Sequence, residues 1–106
     1  MLVPRKVFTS KTGTGVSEVF VAQWYPKVAA VLNLTYGGTP TITVLLEGSL
    51  DGVSYVTLAT GTYTSGALQK LSKAVGSTEW YLYYRLNITA NTNVTVVDAY
   101  IGAGGS

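Results

Sequence analysis

Residues 41–60 read TITVLLEGSLDGVSYVTLAT, and this stretch decides the fold. Apolar and polar residues alternate in its first part, which places Ile42, Val44 and Leu46 on one face of an extended chain. The sequence Ser49-Leu50-Asp51-Gly52 is typical of a turn, because Asp and Ser bond to the local backbone and Gly accepts a positive φ. A β-branched and aromatic run follows the turn, so the stretch predicts a β-hairpin.

A second alternating stretch, from Trp80 to Thr89, predicts the strongest strand of the chain. The face expected to join the core carries Trp80, Leu82, Tyr84, Leu86 and Ile88. The opposite face carries Tyr81, Tyr83, Arg85 and Asn87. A strand with one apolar and one mixed face is typical of a sheet that is covered on one side.

The whole chain divides into about eight such strands. They run from Val3 to Thr9, Glu18 to Tyr25, Val28 to Tyr36, Thr41 to Glu47, Ser54 to Thr60, Trp80 to Thr89 and Val94 to Ile101, while residues 67–75 form either a strand or a helical turn. Turn or loop sequences lie at Lys11 to Gly15, Gly37-Gly38, Gly61 to Gly66 and Asn91 to Asn93. Short strands with frequent turns predict an all-β fold, an antiparallel β-sandwich in jelly-roll order.

Length and composition agree with one compact domain over residues 1–106. The chain has 106 residues, of which 47% are hydrophobic and 11% charged, and it includes 12 Gly and 8 Tyr. No internal repeat or linker divides it, and a chain of this length predicts a single domain. We expect residues 102–106, which are rich in Gly, to form a flexible tail.

The same composition argues against catalysis and against a cofactor. The chain has no Cys and no His, so it lacks thiolate nucleophiles and the commonest general base and metal ligand. The five acidic residues are spread singly at Glu18, Glu47, Asp51, Glu79 and Asp98, which predicts neither a metal site nor a catalytic carboxylate pair. A net charge of +2 is weak for a nucleic-acid-binding protein.

No segment has the pattern of a membrane span or a secretory signal. The longest uninterrupted apolar run covers residues 28–32, far below the roughly 20 residues that a spanning helix needs. The basic start of the chain is not followed by an apolar segment. We therefore expect a protein that is made in the cytoplasm of its host without a signal peptide and does not enter a membrane.

Two motifs resemble one known family. The stretch from Ser49 to Leu58 resembles the S-x-D-G-x-x-(W/Y)-x-x-L hairpin of discoidin-like, galactose-binding-like jelly rolls, and residues 83–88 resemble their Y-x-R-(L/V)-x-(V/I) strand. The largely apolar stretch from Val94 to Gly102 resembles their last strand. The similarity covers about half of the chain. The resemblance implies a jelly roll in which the aromatic residue after the turn, Tyr55, is buried in the sandwich.

The chain is rich in Thr, Val and Gly, and this composition is also similar to that of small virion proteins of tailed bacteriophages. This resemblance implies a non-enzymatic structural protein of the phage particle, such as a capsid decoration or cement protein or a minor structural protein. The implied partner is the major capsid protein or another virion protein. We expect a homo-oligomer, with a trimer as the first guess. The alternative is a carbohydrate-binding or receptor-binding module whose ligand is a glycan.

Tyr81, Tyr83 and Arg85 are the first candidates for an interaction site. Aromatic residues and Arg often anchor protein interfaces, and they also stack on sugar rings. A sandwich can equally half-bury Tyr on both sides of a central strand. Three interpretations of this face therefore stay open: a structural face, a subunit interface and a sugar site.

Two further regions offer candidates. Trp24 and Tyr25 precede a Pro at a strand end and form either a binding platform or a plug of the sandwich. Arg5 and Lys6 belong to a basic segment over residues 1–15, which is either a solvated strand with a loop or an N-terminal arm on a neighbouring subunit.

Arg85 is also expected to meet an acidic partner across neighbouring strands. Glu79 and Asp98 are the two candidates for that partner. Surface ion pairs of this kind contribute only about 0–1 kcal/mol, so the pair does not by itself indicate a reaction.

Overall fold

The computed structural model describes residues 4–21, 25, 27–74 and 81–104. The strands are β1 (Arg5–Thr12), β2 (Gly15–Val16), β3 (Phe20–Val21), β4 (Lys27–Ser49), β5 (Tyr55–Tyr63), β6 (Leu68–Ala74) and β7 (Tyr83–Gly104). Every pairing between them is antiparallel, so the predicted all-β antiparallel class is confirmed. In this described part, no helix is long and apolar enough to cross a membrane.

A long two-stranded ribbon of β4 and β7 forms the centre of the sheet. The two strands pair from Lys27 opposite Gly104 to Ser49 opposite Tyr83. The other edge of β4 pairs with β6 along its first part and with β5 along its last part. The other edge of β7 pairs with β1, β2 and β3. Each long strand therefore contributes to both halves of one continuous sheet, with β6 and β1 flanking the ribbon in one half and β5, β2 and β3 flanking it in the other.

The ribbon bends near its middle. A strand of 23 residues would span about 75 Å if it were straight, because each residue adds about 3.3 Å, yet the longest dimension of the molecule is 43 Å. The pairing shifts between Tyr36 and Thr41, where four residues of β4 lie opposite only Asn93. Gly38 and Asn93 both have positive φ, at 56° and 58°. An extra segment in one strand bends it and increases its twist, which folds one half toward the other.

The buried side chains of both halves form one core. Along β4 and β7 they alternate with exposed residues, as a half-buried sheet requires. The completely buried set includes Leu32, Ile42, Leu46, Leu86, Ile88 and Ile101. Each such side chain contributes about 1.5–3 kcal/mol when it is buried. Because every described element belongs to this sheet, each half covers the apolar face of the other, which makes the fold a β-sandwich.

The structure joins strands that the sequence separates. The predicted strands Val28 to Tyr36 and Thr41 to Glu47 are both parts of β4. Residues 83–89 of one later predicted strand and residues 94–101 of the next both fall in β7. The turn sequences at Gly37-Gly38 and Asn91 to Asn93 are real irregularities, but they bend the ribbon and do not reverse it. The described part of the chain contains seven strands, against the expected number of about eight.

Several predicted boundaries also need correction. Residues 67–75, for which the sequence predicts either a strand or a helical turn, contain strand β6 (Leu68–Ala74). Strand β1 continues to Thr12, inside the predicted Lys11 to Gly15 loop, because it pairs with β7 as far as Thr95. The predicted flexible tail is wrong for residues 102–104, which pair with β4 at its first three residues.

The bend gives the first testable prediction. Gly38 has φ +56°, and a Cβ atom there would lie 2.9 Å from Nδ2 of Asn93. We expect Gly38→Ala to lower the free energy of unfolding by about 1–2 kcal/mol, because an L-residue in this conformation is strained. Urea denaturation measures the change.

Gly37→Ala is the matched control for this prediction. At Gly37 the nearest atom to an added Cβ is the Asn93 carbonyl oxygen at 4.0 Å, and no positive φ is required. We expect Gly37→Ala to be close to the wild type. Equal losses at the two positions would contradict the proposed conformational cause.

Candidate functional site

The turn after β4 is held by a compact set of side-chain hydrogen bonds. The Ser49 hydroxyl donates to Oδ1 of Asp51 at 2.9 Å and accepts the backbone N–H of Gly52 at 2.9 Å. Oδ1 of Asp51 accepts the N–H groups of Val53 and Ser54, both at 2.8 Å. Gly52 has φ +80°. The sequence-predicted turn is therefore present, and its backbone is fixed by two short polar side chains.

These bonds change the acidity of Asp51. The backbone N–H groups of Ser54 and Val53, followed by the Ser49 hydroxyl, stabilise the carboxylate and lower the pKa of Asp51 below its ordinary value. The carboxylate is consequently a structural acceptor at neutral pH.

A polar cluster lies next to this turn, on the face of the sheet away from the core. We call Glu47, Tyr55, Arg85 and Asn87 the Arg85 cluster. Nε of Arg85 lies 2.8 Å from Oε1 of Glu47, and the amide of Asn87 donates to the other carboxylate oxygen at 3.2 Å. The guanidinium carbon lies 3.8 Å from the centre of the Tyr55 ring. Arg85 thus contacts both a carboxylate and an aromatic face.

Strand register brings these residues together. Glu47 of β4 lies directly opposite Arg85 of β7, while Tyr55 of β5 lies opposite Ser49, two residues further along β4. Neighbours across and diagonal to one another on a sheet are within reach of long side chains. The cluster therefore links three adjacent strands.

The Arg85 cluster is largely shielded from water. The side chains of Arg85 and Glu47 expose only 24% and 9% of their surface. Burial raises the pKa of the Tyr55 hydroxyl, and the positive charge of Arg85 partly opposes that rise. Taking either member of such a buried pair away leaves the other charge without compensation, which costs about 3–5 kcal/mol. The arrangement is suited to fixing the sheet and holding a surface in shape.

The position of Tyr55 corrects one expectation from the family resemblance. That resemblance placed the aromatic residue after the turn in the sandwich core. Tyr55 is instead half-buried on the outer face, under the guanidinium of Arg85. Since Arg85 covers one face of the ring, that face is not free to stack on a sugar.

The predicted set of Tyr81, Tyr83 and Arg85 does not stay together. Tyr83 and Arg85 lie on the outer face of β7, as expected, and the ring of Tyr83 lies near the backbone of Gly52. Tyr81 precedes the strand and packs on the core, with its ring 6.2 Å from that of Tyr84 and nearly perpendicular to it. Its assignment to the exposed face was wrong because the alternation begins only at Tyr83.

The acidic partner of Arg85 is also different from the two expected. Asp98 accepts a hydrogen bond from the amide of Asn33 at 2.6 Å, in the other half of the ribbon. Glu79 lies outside the described residues. Sequence analysis missed Glu47 as the partner, although its place on the polar side of an alternating strand was a usable signal.

The remaining candidates are dispersed. Trp24 lies outside the described residues, and Tyr25 is half-buried against the core. Arg5 forms an exposed ion pair with Glu18 at 2.6 Å, and the ammonium of Lys6 lies 5.7 Å from the ring centre of Tyr100. In the single chain Arg5–Thr12 is an edge strand, which agrees with the solvated-strand alternative. Contact of this segment with a second subunit stays a prediction.

An open cleft of about 390 Å³ lies beside the bend. Its lining consists of Thr12, Gly13, Thr35, Tyr36, Gly37, Asn91, Asn93, Val94 and Thr95. Hydroxyl and amide groups of this kind can donate and accept hydrogen bonds. Asn91 is already bonded to the backbone of Gly13 and Val94.

Metal-ligating residues do not converge in the described part of the chain. Among residues 4–21, 25, 27–74 and 81–104, there is no group of three or more His, Cys, Asp or Glu side chains that could hold an ion. The carboxylate of Glu47 is engaged by Arg85 and Asn87.

Comparison with known proteins identifies the fold but no family. No protein-family model matches the chain, and no curated protein matches it. Among solved structures, the crystal structure of the SPBc2 prophage-derived protein YomS is similar, with a TM-score of 0.62 over 95% of each chain. The sequence identity is 9%, so the similarity establishes a shared fold alone.

The Arg85 cluster yields a stability prediction. We expect Arg85→Gln to lower the free energy of unfolding by about 3 kcal/mol, because it leaves the buried carboxylate of Glu47 without its cation. The double variant with Glu47→Gln should lose less than the sum of the single losses. Urea denaturation of the four proteins in this cycle measures the coupling.

The exposed pair of Arg5 and Glu18 provides the control. Its partners lie at a similarly short distance, 2.6 Å, but their side chains are 55% and 65% exposed. We expect Arg5→Gln to change the free energy of unfolding by less than about 1 kcal/mol. A loss as large as that of Arg85→Gln would contradict the role given to burial.

Asp51 yields a pH-dependent prediction. Its folded pKa is lowered, so its stabilising effect is complete above the unfolded pKa of about 3.9 and is lost as the pH falls through the folded pKa. Asp51→Ala should therefore be less stable than the wild type at pH 7, and the difference should shrink at pH 2–3. Urea denaturation at both pH values tests this, and a difference that is constant with pH would refute it.

Proposed function

We propose that this protein is a non-enzymatic structural component of a phage particle that acts through protein–protein contacts. The observation that carries the proposal is the shared fold with the prophage-derived protein YomS, which extends over 95% of both chains. A fold match over nearly the full length of two small chains means that no large ligand-binding insertion distinguishes them. The role as a capsid decoration, cement or minor structural protein is part of this proposal.

The chemistry of the described surface supports such a role. Only 11% of the residues are charged, and a contact surface with few charges requires little desolvation of ions. The charged side chains of Arg85 and Glu47 are satisfied within the chain. The turn presents Leu50 and Val53 to solvent, with 56% and 81% exposed. Apolar side chains on a fixed turn can pack against a protein surface without a further loss of backbone freedom.

We also propose that the β-sandwich is a discoidin-like jelly roll. The two motifs that carried the resemblance contact each other, since Tyr55 follows the turn and Arg85 belongs to the later strand. This contact supports a common design for the two motifs. It leaves less support for the glycan alternative, because the contact uses one face of the ring.

Purified particles test the proposal directly. We expect the protein to copurify with intact particles of the phage that encodes it, in fixed stoichiometry through a density gradient, with detection by mass spectrometry. Addition of the protein to shells that lack it should raise their melting temperature if it decorates the capsid. A protein absent from the particles and without effect on the shells would refute a structural role, and glycan-array binding would then indicate the carbohydrate-binding alternative.

A further inference from the structure

Strand β5 (Tyr55–Tyr63) lies at an edge of the sheet. It follows β4 at the end of the strand order β1-β7-β4-β5, and its pairing partner is β4. In the described part of the chain, no strand pairs with its other side. An edge strand presents unpaired N–H and C=O groups that can accept a further strand.

The other edges differ from β5 in charge or in length. Strand β1 carries three basic residues, Arg5, Lys6 and Lys11, and strand β6 carries Lys70 and Lys73. Strands β2 and β3 have only two residues each. Basic side chains and short strands are the usual means by which proteins prevent sheets from joining. These edges are therefore protected.

Strand β5 lacks both forms of protection. Its nine residues, YVTLATGTY, include no charged residue and no proline. The pairing with β4 has one irregularity, between Leu46 and Glu47, and the run from Ala59 to Tyr63 is regular. A regular, uncharged segment rich in β-branched and aromatic residues favours addition of a strand.

We propose that β5 is a self-association edge, at which a second copy of this chain pairs through its own β5. The absence of charge from β5 favours a second copy of the same strand as its partner. Two copies of β5 can meet in any register without placing like charges opposite each other, whereas several registers of two β1 or two β6 strands would place Lys or Arg opposite another cation. Antiparallel pairing of identical strands has twofold symmetry, so it closes into a dimer.

The sequence of the regular segment selects a centre for this pairing. Thr60-Gly61-Thr62 reads the same in both directions. A twofold axis at Gly61 places Thr60 of each copy opposite Thr62 of the other. Both Thr residues are exposed, and the hydroxyl of Thr62 faces that of Thr43 on the outer side of the sheet. Thr pairs across strands are favourable neighbours.

Self-association through β5 is independent of the proposed virion role, because the contact between two copies of the chain can be measured on the purified protein alone. The trimer expected from the sequence would need a different, heterologous contact.

Charge substitution at the proposed axis tests the pairing. Light scattering behind a sizing column should give the wild type about twice the chain mass of 11.2 kDa. Two variants are needed, Thr60→Lys with Thr62→Lys, and Thr60→Glu with Thr62→Glu. We expect each alone to have the mass of one chain, since like charges then lie directly opposite each other. An equal mixture of the two should recover the doubled mass.

A matched control adds the same charge to a different edge. Thr9→Lys with Thr12→Lys places two Lys at exposed positions of β1 and should leave the mass of the wild type unchanged. Circular dichroism confirms that every variant is folded. A wild type with the mass of one chain, a doubled mass in both charged variants, or a mixture that does not recover would overturn the proposal.

Hydrogen exchange gives a second measurement that needs no variant. In the dimer, the β5 amides that point away from β4 are hydrogen-bonded to the second copy. These amides should lose protection from exchange when the wild type is diluted below its dissociation constant, while the amides between β4 and β7 stay protected. Protection of β5 that does not change with dilution would also overturn the proposal.

Discussion

The antiparallel pairing of β4 with β7 is the constraint on which the rest of the structure depends. These strands contain 23 and 22 residues, and every other strand pairs with one of them. Since the described chain has no second layer of different elements, the apolar face of this ribbon is covered only when the ribbon bends. The bend at Gly38 and Asn93 is therefore a condition for a core, and both halves of the sandwich lose their support if the ribbon separates.

One part of the ribbon is fixed from both sides. Leu46 and Leu86 are paired neighbours that lie in the core, and the next residues along the two strands bring Glu47 opposite Arg85 on the outer face. Apolar burial and an ion pair thus act on adjacent positions of the same two strands. Tyr55 connects this region to the start of β5, so the cluster holds the edge strand in a defined position. A fixed edge has less conformational freedom to lose when it binds a partner.

Sequence patterns predicted the local features more completely than the way in which they are joined. Alternation identified Ile42, Val44 and Leu46 as core residues, and the Ser-x-Asp-Gly sequence located the turn. The sequence could not show that Gly37-Gly38 lies opposite Asn93 in a bent ribbon, because a turn and a bulge use the same residue types. The sequence therefore predicts turns at Gly37-Gly38 and at Asn91 to Asn93, where β4 and β7 continue.

The site was predictable in part for the same reason. Alternation put Tyr83, Arg85 and Asn87 on one face, which the structure confirms. Pairing between strands distant in sequence then determines that Glu47 meets Arg85, and this depends on the registers of β4 and β7, which a single sequence does not specify. Tyr81 was misplaced because β7 starts at Tyr83, three residues after the predicted start at Trp80.

The position of the last long strand has a further consequence for the order of folding during synthesis. Strand β7 supplies the central partner of β1, β2, β3 and β4, yet it occupies residues 83–104. The ribosome releases the chain from its N-terminus, so the earlier strands emerge while their main partner is still being made. Only local pairing, such as the hairpin of β4 and β5, can form at that stage. Closure of the sandwich must wait for translation of its final strand, and a chain stopped before residue 83 would expose the apolar face of β4.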